Sequence, residues 1–194
     1  MMEKTLIDCV QINPGYPYRG KIKEQPDGEV QVVQIKDINE RNQVNWTDIS
    51  RSMLTGKKAP NLIESDDILF LARGNKNVAI SMEGIAEDVV CSPVFFQLKI
   101  RDKTKLIPKF LMWQLNQEQT KRYIAEHCGG TVQRNVTKKA LEGLVITIPS
   151  MEKQAQVVRL VECYEKELET YNKLISNRTQ MMTAVSNNIF SGEK

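Results

Sequence analysis

The 194-residue chain, 41% apolar and 26% charged, is long enough to bury one compact core and to carry an extension beyond it. A formal net charge of +3 permits a nucleic-acid face without demanding one, and no apolar run approaches the roughly 18 residues of a membrane span. Four cysteines without a C-x-x-C pair, and a single histidine (His127, beside Cys128), argue against a zinc site and suit reduced thiols in a soluble cytoplasmic protein.

In chain order, residues 13–21 (Asn-Pro-Gly-Tyr-Pro-Tyr-Arg-Gly-Lys) predict an ordered loop that presents Tyr16, Tyr18, Arg19 and Lys21. Pro26-Asp27-Gly28 is a turn, and Val30, Val32, Val33 and Ile35 predict a strand that Lys36-Asp37-Ile38-Asn39 leaves. Residues 41–66 are polar and mixed, and read as loop with room for one short helix. The apolar run at 68–72, the polar turn Arg73-Gly74-Asn75-Lys76-Asn77 and the alternation of Val78, Ile80 and Met82 predict a hairpin with a basic tip. Further strands are expected at 89–91 and 94–100, the latter with Phe96, Leu98 and Ile100 on one face.

Pro108 opens a predicted helix that Gly129-Gly130 closes, with Phe110, Leu111, Trp113, Leu115, Tyr123 and Ile124 as its apolar contacts. Thr137 is placed to cap a short helix, a strand runs to Ile148 before Pro149, and Ser150 is placed to cap a long final helix. That helical segment has no Pro and no Gly to about residue 190. Its apolar and aromatic residues fall at Val157, Val161, Tyr164, Leu168, Tyr171, Ile175, Met182, Val185 and Ile189, interrupted only by Arg178. The 3.5-residue spacing is that of a coiled-coil seam, and the helix would be about 55–60 Å long. With Val161 at position a, the tyrosines and Arg178 occupy d, where a parallel dimer would set each against its own copy; an antiparallel pair offsets them. The fold class is therefore α+β: one mixed globular domain over residues 1–150 with a β core and flanking helices, then one long C-terminal coiled-coil helix over 151–194.

Catalytic signatures are missing. There is no phosphate-binding G-x-x-x-x-G-K-[ST], no G-x-G-x-x-G, and Asp66-Asp67 runs straight into an apolar strand rather than joining a magnesium-binding carboxylate cluster. The polar, basic loops are more telling: Arg19-Gly20-Lys21, residues 73–77, and Gly129-Gly130-Thr131-Val132-Gln133-Arg134-Asn135 followed by Thr137-Lys138-Lys139. Arg, Lys, Asn and Gln are the side chains that match base edges and phosphates.

The order of these pieces carries a resemblance. Gly-Tyr-Pro-Tyr-Arg-Gly, a valine-rich strand into Lys-Asp-Ile-Asn, Asp-Asp-Ile-Leu-Phe into an Arg-Gly turn, and Pro-Lys-Phe-Leu-Met-Trp-Gln-Leu come first. Gly-Gly-Thr-Val-Gln-Arg-Asn-Val-Thr, Val-Ile-Thr-Ile-Pro, and Glu-Lys-Gln-Ala-Gln-Val-Val into a heptad helix come after them. Across essentially its whole length the chain resembles the specificity subunit of Type I restriction-modification systems, in a half-length form with a single target recognition domain. The resemblance implies a non-catalytic subunit that reads one half of a bipartite double-stranded DNA target. It would direct a modification (methyltransferase) subunit and a restriction subunit there and hold no cofactor itself, S-adenosylmethionine belonging to the methyltransferase.

On that reading Arg73, Asn75, Lys76, Gln133, Arg134 and Asn135 are candidates for base edges, and Arg19, Lys21, Lys36, Lys138 and Lys139 for phosphates. The stripe Val157, Val161, Tyr164, Leu168, Tyr171, Ile175, Arg178, Met182, Val185 and Ile189 would pair with a second copy or another half-subunit. The alternative is a coiled-coil adaptor or DNA-binding regulator without a methyltransferase.

Overall fold

The computed structural model describes residues 2–55, 59–74, 76–85, 87–127 and 135–192. Its elements run β1 (Met2–Thr5), α1 (Leu6–Cys9), β2 (Val10–Pro14), β3 (Val30–Val33), β4 (Arg51–Ser52), β5 (Ile68–Leu71), β6 (Ala79–Ser81), β7 (Val89–Cys91) and β8 (Phe95–Ile100). Then come α2 (Pro108–Leu115), α3 (Glu118–His127), α4 (Lys138–Glu142), β9 (Val145–Ile148) and α5 (Met151–Ser191). The class is the expected α+β with a β core and a long C-terminal helix. Residues up to Ala155 form one compact unit and those from Gln156 a second.

The strands make three sheets: β1-β9, then β2-β8-β5-β6, then β4-β3-β7. The expected hairpin is present, with Ile68 opposite Ser81 and Phe70 opposite Ala79. Alternation along the strands of the two larger sheets buries Val33, Leu69, Leu71, Ile80, Met82, Val89, Cys91 and Phe95 in one cluster. Tyr16, Val30, Val32 and Val90 form a second, smaller one. β8 is buried on both faces rather than one, because Phe95 and Gln97 are as enclosed as Leu98.

Several elements differ from the sequence reading, each for a tertiary reason. The helix expected from Pro108 to the glycine pair is two helices. Asn116 breaks it by accepting at Oδ1 from the Ala79 N–H (2.8 Å) and donating from Nδ2 to the Ala79 carbonyl (2.9 Å), so the chain turns to serve a strand. Gly129 and Gly130 lie outside the described residues. Residues 41–55 and 59–66 contain no helix; Arg51–Ser52 pairs with β3 instead. The region before residue 13, unassigned from sequence, holds β1, α1 and β2. β1 is completed only by β9, with Met2 opposite Ile148.

Two predicted caps form. Thr137 Oγ1 accepts from Ala140 N–H at 3.1 Å to open α4, and Ser150 Oγ accepts from Lys153 N–H at 3.5 Å to open α5. The first turn of α5 is fixed by Gln154, fully buried. Its Oε1 accepts from Ile107 N–H at 2.9 Å, and its Nε2 donates to the Lys105 and Pro149 carbonyls at 2.8 and 2.9 Å. An amide meets those three backbone groups where an apolar side chain would strand them.

Candidate nucleic-acid interface

Two of the three polar loops singled out in the sequence meet in space. Val136 N–H donates to the Ala72 carbonyl at 2.8 Å, which sets Asn135, Thr137 and Lys138 beside Arg73. Ala72 N–H in turn donates to Val94 O at 2.9 Å, so the turn is tied into the core of the sheet. The third wall is the chain at Gly15 and Tyr16. Gly15 N–H donates to Phe95 O and Tyr16 N–H to Cys91 O, at 3.0 and 2.8 Å. A Cβ on residue 15 would collide with the Ser92 carbonyl, so only glycine lets this loop lie flat on the sheet.

Together these walls enclose a groove of about 700 Å³ lined by Pro14, Gly15, Tyr16, Pro17, Ala59, Asn61, Ala72, Arg73, Pro93, Phe96, Asn135, Val136, Thr137 and Lys138. No carboxylate is among these lining residues, while Arg73 and Lys138 supply positive charge and Asn61 and Asn135 supply amides. An open, cationic, amide-bearing groove on a rigid sheet is suited to a polyanion with hydrogen-bonding edges.

The other predicted residues are distributed differently. Lys76 lines a separate hollow of about 400 Å³ with Asn42, Asn77, Asn116 and Lys121. Arg19 and Lys21 are exposed on either side of Gly20, whose φ of +84° makes the turn. Lys36 is exposed but its Nζ donates to Ser50 Oγ at 2.8 Å, and Lys138 Nζ lies 3.7 Å from Glu142. Lys139 is exposed on α4. Asn75, Gln133 and Arg134 lie outside the described residues. Tyr16, expected on display, is buried at 4% exposure and meets Tyr18 edge-on, because the Gly15 contact draws it inward.

Sequence reasoning missed Asn61 and Lys121 as lining residues, and it missed the polar support beneath the strands. Gln97, fully buried, donates from Nε2 to Asp67 Oδ2 at 2.7 Å and to Leu62 O at 2.9 Å, while Asp67 also accepts from Glu64 N–H. Burial raises the Asp67 carboxyl above its ordinary range, with those hydrogen bonds opposing. A glutamine in an apolar strand was the available signal. Among the described residues no cluster of His, Cys, Asp and Glu could hold a metal ion, and no helix is long and apolar enough to cross a membrane.

Residues 1–176 match the family model described as the Type I restriction modification DNA specificity domain. The chain belongs to that family. No curated protein matches it. Among solved structures it is similar to the Type I restriction-modification S subunit from M. genitalium, with a TM-score of 0.64 at 15% identity over 100% of this chain and 46% of that one. It is also similar to the HsdS subunit from Thermoanaerobacter tengcongensis (TM-score 0.60, 16% identity, 100% and 45% coverage). A third likeness is to a chain from a study of complex assembly and conformational transition of the Type I restriction-modification system (TM-score 0.68, 14% identity, 100% and 46% coverage). The specificity-domain chain thus shares their fold and spans under half the length of each.

The predicted seam lies on α5. Val157 and Val161 are half-buried, whereas Tyr164, Leu168, Tyr171, Ile175, Met182, Val185 and Ile189 are between 41% and 66% exposed. Arg178 is exposed in the same stripe.

Proposed function

We propose that the specificity-domain chain is the DNA-reading component of a Type I restriction-modification complex, without catalytic chemistry of its own. The groove between the Arg73 turn, the Asn135–Lys138 segment and the Gly15 loop is its contact with one half of a bipartite target. The observation that supports this most is the junction of two separately predicted basic loops through Val136 and Ala72, in a groove whose lining residues carry no carboxylate. In this reading Arg73 and Asn135 face base edges; Asn75, Gln133 and Arg134, proposed for the same role, lie outside the described residues. Lys138, Lys139, Arg19 and Lys21 meet phosphates, and Lys36 and Lys76 lie at the margins of the contact. Residues 1–150 are the recognition domain. The helix over 151–194 spaces it from a second one by antiparallel pairing and offers its flanks to a methyltransferase subunit, which would hold S-adenosylmethionine.

The test is the salt dependence of DNA binding by the chain in complex with its modification subunit. Replacing Lys138 or Arg73 by alanine should flatten the slope of log K against log salt by about one unit each. Only Arg73→Ala should also change which sequences are preferred. Unchanged slopes for both variants would remove this groove from the DNA contact.

A further inference from the structure

The turn between β5 and β6 has a hollow on each side, and one of them lies outside the groove described above. In the sheet order β2-β8-β5-β6, that groove takes Pro14 from the end of β2, Phe96 from the start of β8, and Ala72 and Arg73 beyond β5. The second hollow, of about 400 Å³, takes Val78 just before β6, with Asn42, Lys76, Asn116 and Lys121 around it. The turn from Arg73 to Lys76 therefore stands between two hollows ranged along one end of one sheet. No carboxylate is among the lining residues of either.

The walls of the second hollow are fixed from beneath, and its cations are left outward. Asn77 donates from Nδ2 to the Leu71 carbonyl at 3.1 Å, and Asn116 from Nδ2 to the Ala79 carbonyl at 2.9 Å, so both amides are committed to holding the hairpin. Ile124, at 3% exposure, anchors α3 in the core, and Lys121 lies one turn before it on the same face. Asn42 has a φ of +59°, in a loop where Asn39 Oδ1 accepts from the Arg41 and Gln43 N–H groups at 2.9 and 3.0 Å. Lys76 and Lys121 are exposed. The Lys121 pair with Glu118, at 3.9 Å and with both side chains more than half exposed, is weak enough to be exchanged for a phosphate.

We infer that this hollow is a second phosphate-binding wall: Lys76, Lys121 and Asn42 hold the sugar-phosphate backbone of one DNA strand while Lys138 holds that of the other, with the turn at Arg73 between them. This rests on the DNA-reading groove proposed above and deepens it, bringing α3 into the contact and moving Lys76 in from its margin. The spacing suits a duplex. From β8, in the middle of the first hollow, to β6, at the start of the second, the offset is two strand spacings, about 10 Å. The major groove of B-form DNA is about 12 Å wide. Lysines on either side of the turn can therefore reach phosphates on both banks of one groove while the turn faces base edges. Contacts to phosphate carry no sequence information, so the second wall sets position and affinity rather than target choice.

Salt-dependent DNA binding by the chain in complex with its modification subunit tests it, with circular dichroism confirming the fold of each variant. Lys76→Ala and Lys121→Ala should each flatten the slope of log K against log salt by about one unit, equally on target and unrelated DNA. Arg122→Ala is the control. It removes the same charge from the same helix, and from the same Glu118 at 3.9 Å, but Arg122 does not line the hollow, so the slope should stay as it is. An Arg122→Ala effect as large as that of Lys121→Ala would be a response to net charge alone and overturns the wall. Flattening by Lys138→Ala with none from Lys121→Ala overturns the wall and leaves the groove standing. No flattening by either overturns both.

Discussion

The two units of the chain spend the same kinds of side chain in opposite ways. Up to Ala155, apolar residues are enclosed within the unit: Phe70, Phe95, Leu98 and Leu111 are at most 1% exposed. From Gln156 onward a regular apolar stripe stands in the open, with Ile175 and Ile189 at 65% and 66% exposure. The first unit supplies most of its own apolar partners through sheets and helix packing, and leaves only scattered apolar side chains such as Met2, Ile35 and Val145 exposed. The second satisfies its backbone as a helix and leaves its apolar stripe exposed, the surface on which the proposed pairing rests. The proposed recognition and the proposed pairing therefore fall on different parts of the chain, and each should be open to perturbation without the other.

The largest effect expected on that separation is in the core. Phe70→Ala, at a fully buried position of β5, should cost about 3–5 kcal/mol in urea denaturation of the first unit while leaving α5 able to associate once folded. Next comes the buried amide at the start of α5. Gln154→Ala strands the Ile107 N–H and the Lys105 and Pro149 carbonyls, and should cost about 2–4 kcal/mol; Gln154→Glu should not rescue it, since a carboxylate cannot donate to two carbonyls. Ile175→Asp should act in the reverse sense. It should lower self-association by about a hundredfold in sedimentation, with DNA-free unfolding of the first unit unchanged.

Smaller effects sharpen the same contrast. Cys163, exposed on α5, should react with a thiol reagent in seconds to minutes. Cys91, whose thiol is pushed up to about 12 by burial, should react only on unfolding, as should the buried Cys9. Mass mapping of labelled peptides would show whether that order is reversed.

Stability should also respond to acid with two opposite signs. The raised Asp67 carboxyl stabilises the fold most below its ordinary value of 3.8 and loses that contribution as pH rises through its folded value, so Asp67→Asn should gain on wild type above about pH 4. Asp102, held at about 2 by Lys105 and Thr104, contributes above 3.8 and loses that contribution as pH falls towards 2. Asp102→Asn should therefore trail the wild type at neutral pH and converge on it in acid. Urea midpoints across pH 2–7 would distinguish the two.

What could be read from sequence depends on the range of the interactions involved. The hairpin at 68–82 is a local object, and two apolar runs about an Arg-Gly turn suffice to specify it. The tail is a one-dimensional pattern, fully visible in the spacing from Val157 to Ile189. The misses are all long-range. Met2–Thr5 has little strand character of its own and becomes a strand because residues 145–148 reach it. The break at Asn116 exists because Ala79 needs a partner for both backbone groups, and Gln97 is tolerated inside a strand because Asp67 and Leu62 receive its amide. At the candidate interface the residue types were legible. Their convergence was not, because it depends on the Val136 to Ala72 hydrogen bond across more than sixty residues of chain.

The most direct test of the DNA-reading assignment is a map of methylated adenines in cells that co-express the chain with its modification subunit. The expected result is a gapped, inverted-repeat motif that is lost or altered by an Arg73→Ala, Asn135→Ala double substitution while the protein remains folded. An identical motif from the folded double variant would contradict it.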